Sequence, residues 1–156
     1  MSANIVRAAI IEDASAVEEC VVAAFEPYVE RIGKPPAPMI ADYPSLIRSE
    51  RVWVAERDGE VAGVLVQYVT EHGFYLDTVA VSPSWRGTGV GRALLQFAEN
   101  QAIHCGFDSI YLCTNTKMTE NQILYPKIGY TEYDRRAEAG YDRVFYRKQL
   151  DTKRED

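Results

Sequence analysis

One stretch constrains this chain more than any other, the run from Leu76 to Ala102. An apolar run, Phe74–Val81, reads as a strand, and Ser82-Pro83-Ser84-Trp85 breaks it. Three glycines follow at alternate positions in Arg86-Gly87-Thr88-Gly89-Val90-Gly91. A helical pattern then passes through Val90, Ala93, Leu94, Phe97, Ala98 and Ala102. Strand, glycine turn and helix in that order predict a helix that starts at the turn. Its first backbone N–H groups have no intrahelical acceptor, and the macrodipole adds partial positive charge there. Such a turn suits an anion. Glycine suits the turn, because the backbone must come close to the ligand and can adopt positive φ.

Spacing separates the Gly-rich loops that hold anions. A Walker loop requires Gly-Lys-Ser/Thr, and no lysine follows here. The dinucleotide fingerprint is Gly-x-Gly-x-x-Gly in an early strand–helix unit, whereas this spacing is Gly-x-Gly-x-Gly, deep in the chain. A methyltransferase loop shares the spacing, but an acidic residue is expected just ahead of it, where this chain has Trp85 and Arg86. The stretch from Val79 to Leu95 closely resembles the acetyl-CoA signature of the GNAT N-acetyltransferase superfamily. That signature is Arg or Gln, two residues, Gly, one residue, then Gly or Ala, and Arg86, Gly89 and Gly91 occupy it. A second stretch, Asn121 to Tyr130, is similar to the other hallmark of the family, with Asn121, Leu124, Tyr125, Lys127, Gly129 and Tyr130 in place. It departs from the pattern at Pro126, which removes a helical hydrogen bond and bears on where Tyr125 points.

The rest of the chain reads as a mixed α/β (α+β) domain. Asn4–Ala8 is a short first strand. Asp13 is placed to cap a helix whose apolar face is Ala16, Val17, Cys20, Val21 and Ala24. From Pro27 to Pro44 five prolines and Gly33 exclude one continuous helix, and aromatic residues favour an ordered, packed loop. Val52–Glu56 and Val61–Thr70 form a hairpin about Asp58-Gly59, with Gly63 marking a bulge or a close approach. The helix Gly89–Cys105 ends at Gly106. Ser109–Cys113 then returns as a strand parallel to Phe74–Val81. Thr119 is placed to cap a helix Glu120–Ile128. Tyr130–Tyr133 and Tyr141–Lys148 are the last strands, with Arg135–Gly140 between them. The sum is a mixed, mostly antiparallel sheet of about seven strands flanked by helices. The resemblance implies the GNAT fold over roughly residues 4 to 150, with a central splayed parallel pair. Residues 1–150 are expected to form a single domain and 151–156 a solvated tail.

Composition bounds the function. A chain of 156 residues with 47% apolar and 26% charged residues reads as one soluble globular domain. The net charge of −6 disfavours nucleic acid and mildly favours cationic substrates. Cys20, Cys105 and Cys113 lack metal-ligand spacing, so no metal is expected, and their number suits a reducing cytoplasm. No signal pattern or membrane-length apolar run is present, so no membrane partner is expected either.

What the resemblance implies is acetyl transfer from acetyl-CoA to a primary amine by direct attack in a ternary complex, with coenzyme A as product. The pyrophosphate is expected on the N–H groups of Arg86, Gly87, Thr88, Gly89, Val90 and Gly91, with Arg86 or Arg92 adding charge. The pantetheine arm is expected along Val79, Ala80 and Val81, with Asn115 or Asn121 as a side-chain contact. A lysine-type amine, of pKa about 10.4, must lose a proton before it attacks. Where some members carry a glutamate this chain has Tyr75. Asp77 is the favoured base, with Glu71 and Tyr75 behind it. The Val79 N–H is a donor for the oxyanion, and Tyr125 is expected to protonate the leaving thiolate. Phe25, Glu26, Tyr28, Tyr43 and Tyr141 are candidates for holding the acceptor, which is a small-molecule amine or a protein amino group. Gln67 and Tyr68 are strand neighbours, so at most one faces a cleft. A homodimer through an exposed final strand is open by analogy. The alternative to an enzyme is an acyl-CoA-binding module of the same fold without turnover.

Overall fold

Among residues 5–152, those that this computed structural model describes, seven segments are extended: β1 (Ile5–Ala8), β2 (Val52–Arg57), β3 (Glu60–Thr70), β4 (Gly73–Val81), β5 (Ser109–Asn115), β6 (Thr131–Glu138) and β7 (Tyr141–Gln149). Five are α-helical: α1 (Ala14–Phe25), α2 (Pro27–Ile32), α3 (Tyr43–Arg48), α4 (Val90–His104) and α5 (Thr119–Lys127). The strands make one sheet in the order β1-β2-β3-β4-β5-β7-β6, flanked by helices. The sheet is mostly antiparallel; β4 and β5 are the parallel pair expected of a strand–helix–strand crossover. The chain divides into two compact units. One comprises the residues up to Gln67 with Thr78–Ala98, the other Tyr68–Asp77 with Glu99 onward.

In the first unit the β2–β3 turn is Asp58-Gly59 with φ of 53° and 78°, the left-handed pair that a two-residue hairpin requires. Gly63 answers to both readings of it. The β2–β3 register shifts beside its partner Ala55, and a Cβ at Gly63 would lie 2.7 Å from Val90 Cγ1. α1 buries Val17, Cys20 and Val21 at its helical spacing. Asp13 stands at the N-cap position of α1, but its side chain makes no capping hydrogen bond to the helix. A 3-10 turn, Ile11–Asp13, precedes the helix, and the Asp13 carboxylate instead accepts from Ile10 N at 2.8 Å and from both terminal nitrogens of Arg7. The Pro27–Pro44 stretch is not one loop but three short helical pieces. Pro27 opens α2, Gly33 at φ 92° closes it, a 3-10 turn spans Ala37–Ile40, and the Asp42 carboxylate caps α3 by accepting from Ser45 N. Pro27, Pro38 and Pro44 sit in the first turns of these pieces, where a missing N–H costs nothing.

The Arg7–Asp13 pair gives acid stability a direction. Hydrogen bonds from Arg7 hold the Asp13 carboxyl below its ordinary value of 3.8. A group whose folded pKa is depressed contributes stability above its unfolded pKa and loses it as pH falls through the folded value. Urea unfolding of Arg7→Met is therefore expected at lower midpoints than wild type at pH 6. The gap should close as pH falls below 3.8; a gap independent of pH would mean that the pair contributes nothing through ionisation.

In the second unit β4 and β5 are paired at Phe74–Ile110, Tyr75–Tyr111 and Leu76–Leu112. β5 pairs with β7 from Ser109–Gln149 to Asn115–Arg143. Three expectations need correction here. β6 continues through Arg135 and Arg136 to Glu138, and the turn is only Ala139-Gly140, at φ 54° and 85°. The charges of this stretch are paired on the strand surface, Arg136 with Asp134 and Glu138, and Arg143 with Glu138. The final strand β7 lies between β5 and β6, so β6, not β7, is the edge, and an exposed final strand is not available for pairing between copies. Thr119 is the first residue of α5 rather than its cap; Met118 precedes it and no side chain caps the helix.

Candidate functional site

The first unit builds the glycine turn. β4 stops where Ser82 N donates to Ala62 O at 2.9 Å, and Pro83–Trp85 make a 3-10 turn. Gly87 and Gly89 adopt φ of 73° and 93°, the region in which other residues are strained. The first bond of α4 is Ala93 N to Gly89 O at 3.0 Å, so the N–H groups of Val90, Gly91 and Arg92 precede the helical ladder. Val90 is buried, while Arg86, Gly87, Thr88, Gly89 and Arg92 are exposed. The turn thus presents polar backbone and two arginines on a seated helix start. Val79 and Val81 share one half-buried strand face, and Ala80 points into the core. Arg57 was not anticipated. Its Nη1 donates to Thr88 O at 3.1 Å, and a single arginine at a hairpin end carries no motif that would have flagged it.

The acceptor candidates of this unit separate. Phe25 and Tyr28 meet at 6.3 Å between ring centroids, and the Arg31 guanidinium lies over Tyr28. Glu26 is exposed beside them. Tyr43 is only 2% exposed and its hydroxyl donates to Pro38 O, so its ring is spent on packing the Pro-rich segment. Gln67 is 1% exposed, with neither amide atom partnered.

The second unit gathers the titratable candidates on one row of side chains. The Tyr68 hydroxyl donates to Asp77 Oδ2 at 3.0 Å, and the Tyr68 and Tyr75 rings meet edge-on at 5.6 Å. Tyr75 stacks on Tyr111 at 4.8 Å and its hydroxyl lies 3.2 Å from Cys113 Sγ. Burial pushes the Tyr75 phenol far above its ordinary range, and Cys113 is raised by the same cause. Tyr75 is therefore a neutral hydroxyl that can relay a proton, and Cys113 a thiol rather than a thiolate. Asp77 is the only one of the three base candidates that this arrangement holds as a hydrogen-bonded carboxylate. Glu71 lies in the exposed turn between β3 and β4, 3.8 Å from His72, and is not drawn to that row.

Tyr125 is 9% exposed, its ring packed against Tyr130 at 5.5 Å and Tyr146 at 5.9 Å. Pro126 does not break α5. Ile128 N donates to Leu124 O and Tyr125 O, and Tyr130 N closes on Tyr125 O at 3.0 Å, with Gly129 at φ 102°. Asn121 Nδ2 donates to Thr114 Oγ1 at 2.9 Å, and Asn115 Oδ1 accepts from Lys117 N, so both amides are tied into the β5–α5 connection. Tyr141 opens β7 beside Arg143. Among the described residues no group of three or more His, Cys, Asp or Glu side chains is placed to hold a metal ion, and no helix is long and apolar enough to cross a membrane.

Comparison with known proteins bears on both units. The family model described as an acetyltransferase (GNAT) domain matches residues 48–132, more than half of the chain. Solved structures share the fold at low identity. The GNAT-family acetyltransferase of Staphylococcus aureus Mu50 is 17% identical over 96% of this chain and 100% of its own, with a TM-score of 0.76. The ribosomal-protein-S18-alanine N-acetyltransferase of Escherichia coli is 18% identical over 95% and 94%, at 0.73. The putative acetyltransferase yncA of Salmonella typhimurium, solved with acetyl-CoA, is 19% identical over 96% and 95%, at 0.70.

Proposed function

Because the chain belongs to the GNAT acetyltransferase family, we propose that it moves an acetyl group from acetyl-CoA to a primary amine by direct attack in a ternary complex. The observation that carries this reading is the turn Arg86–Gly91, with left-handed Gly87 and Gly89 opening onto the start of α4. These residues fit a pyrophosphate: N–H groups for its oxygens, and the exposed Arg86 and Arg92 for its charge. Bound acetyl-CoA supplies an activated thioester. The Val79 and Val81 main chain pairs with the donor's amide groups, and the Val79 N–H stabilises charge on the acetyl oxygen. Asn115 and Asn121 hold the β5–α5 connection that carries Tyr125 into place. Asp77, fixed by the Tyr68 hydroxyl, takes the proton of the incoming ammonium directly or through water, and the Tyr75 hydroxyl lines the same path. The amine nitrogen bonds to the acetyl carbon, the carbon–sulfur bond breaks, Tyr125 gives the departing sulfur its proton, and the surplus proton on the new amide nitrogen returns to the Tyr125 oxygen through water. Phe25, Glu26, Tyr28 and Tyr141 are the residues proposed to meet the acceptor, a small-molecule amine or a protein amino group.

Calorimetric titration with acetyl-CoA tests this. Wild type is expected to bind in the micromolar range. Gly89→Trp, folded by circular dichroism, should lose about 100-fold or more, since Gly89 at φ 93° admits no side chain without strain and the indole would cover the turn. A wild-type protein that does not bind acetyl-CoA would end the assignment of the donor.

A further inference from the structure

We propose that Arg57 is a positioning residue for the anion turn, resting on the reading of that turn as the pyrophosphate site. Arg57 is the last residue of β2, just ahead of the Asp58-Gly59 turn. Its guanidinium lies 5.1 Å from the centre of the Trp85 indole ring, and Nη1 donates to Thr88 O at 3.1 Å. The Thr88 hydroxyl in turn donates to Trp85 O at 2.5 Å. Trp85 and Thr88, the residues on either side of Arg86-Gly87, are thus both tied to one side chain.

The turn is open on its outer side: a Cβ added at Gly87 or at Gly89 would touch nothing within 4 Å. Glycine has the widest conformational freedom of any residue, and a free turn would have to lose that freedom on binding. Ordering it beforehand lowers that cost.

Arg57 also sets direction. A trans peptide is planar, with its carbonyl and N–H opposed. Drawing Thr88 O toward Arg57 therefore aims the N–H of the same peptide, that of Gly89, the other way. The bond is charge-assisted, and a guanidinium can make it from one nitrogen while its carbon stays 5.1 Å from the indole centre, a division of contacts that a lysine ammonium lacks. The Arg57 Nε is buried with no hydrogen-bond partner, so this side chain has given up water at one nitrogen to hold its place. No ion pair found among the described residues uses Arg57, so its full charge remains beside the turn.

The test is calorimetric titration of wild type, Arg57→Met and Arg57→Lys with two probes, acetyl-CoA and acetyl-3′-dephospho-CoA, which share the pyrophosphate and differ only in the ribose phosphate. Arg57→Met keeps most of the stem volume and should weaken both probes by the same factor, about 10- to 100-fold, as for loss of a hydrogen bond to a charged group. Arg57→Lys should recover part of that loss. Urea midpoints measured alongside separate a disordered turn from an unfolded protein. Equal affinities for wild type and Arg57→Met would overturn the proposal. So would a loss confined to acetyl-CoA, which would make Arg57 a reader of the ribose phosphate. If wild type binds neither probe, the pyrophosphate reading fails first and the role of Arg57 falls with it.

Discussion

Tyr125→Phe is expected to lower kcat for acetyl transfer by about 100- to 10,000-fold, the span of a positioned general acid. The dissociation constant of acetyl-CoA should stay within about fivefold, the worth of one ordinary hydrogen bond. The split follows from where the residue sits. The Tyr125 ring is enclosed by Tyr130 and Tyr146, and phenylalanine keeps both ring contacts, so the helix end from Tyr125 to Gly129 should survive the change. Only the hydroxyl is lost. A phenol of pKa about 10 is reasonably matched to a leaving thiol near 8.5, so its removal leaves the sulfur to depart as a thiolate. Steady-state kinetics with an accepted amine, together with calorimetry, separates the two effects. A variant with unchanged kcat would make Tyr125 a packing residue. A wild-type protein that binds acetyl-CoA yet turns over no amine in a broad panel would favour a binding module of the same fold.

The turns and glycines were legible in the sequence because each has a local cause. Asp58-Gly59, the alternate glycines at 87 and 89, and Gly106 all fall at positive φ, where residue type alone decides. The parallel β4–β5 pair followed from chain order and handedness. What was illegible depends on partners distant in sequence. Nothing in the local sequence marks Arg135 and Arg136 as strand; they are strand because β7 supplies a ladder and carboxylates on the same surface supply the counter-charges. Asp13 and Arg7 have nothing between them in sequence to announce a bidentate pair. The same holds at the site. The alternation of β4 put Tyr75 and Asp77 on one face, but that Tyr68 reaches Asp77 while Tyr75 reaches Cys113 is a matter of cross-strand distance. Arg57 is the clearest case, an unremarked hairpin arginine that meets the turn 31 residues away.

The turn is seated from below as well, and Gly63 shows how far fold and site are the same problem. A Cβ at this position would lie 2.7 Å from Val90 Cγ1, 2.9 Å from Leu94 Cδ1 and 3.0 Å from Ala80 O. Leu94 can rotate its far end away. Val90 is β-branched and held to one rotamer in a helix, and Ala80 O is backbone. Gly63→Val must therefore move the first residue of α4 or the β3–β4 backbone. Overpacking of this kind is expected to destabilise the protein by about 3 kcal/mol, which for a chain of this length lowers Tm by about 6–12 °C. Gly63→Ala should fall between this variant and wild type. Because Val90 closes the glycine turn, the displacement should also reach the ligand. Among molecules of Gly63→Val still folded at 10 °C, the affinity for acetyl-CoA should drop by about tenfold, one hydrogen bond's worth of misplaced N–H groups. A stability loss with unaltered affinity would mean that α4 keeps its start in place and the strand yields instead. A Tm within 2 °C of wild type would show that the close approach at Gly63 is not a constraint at all.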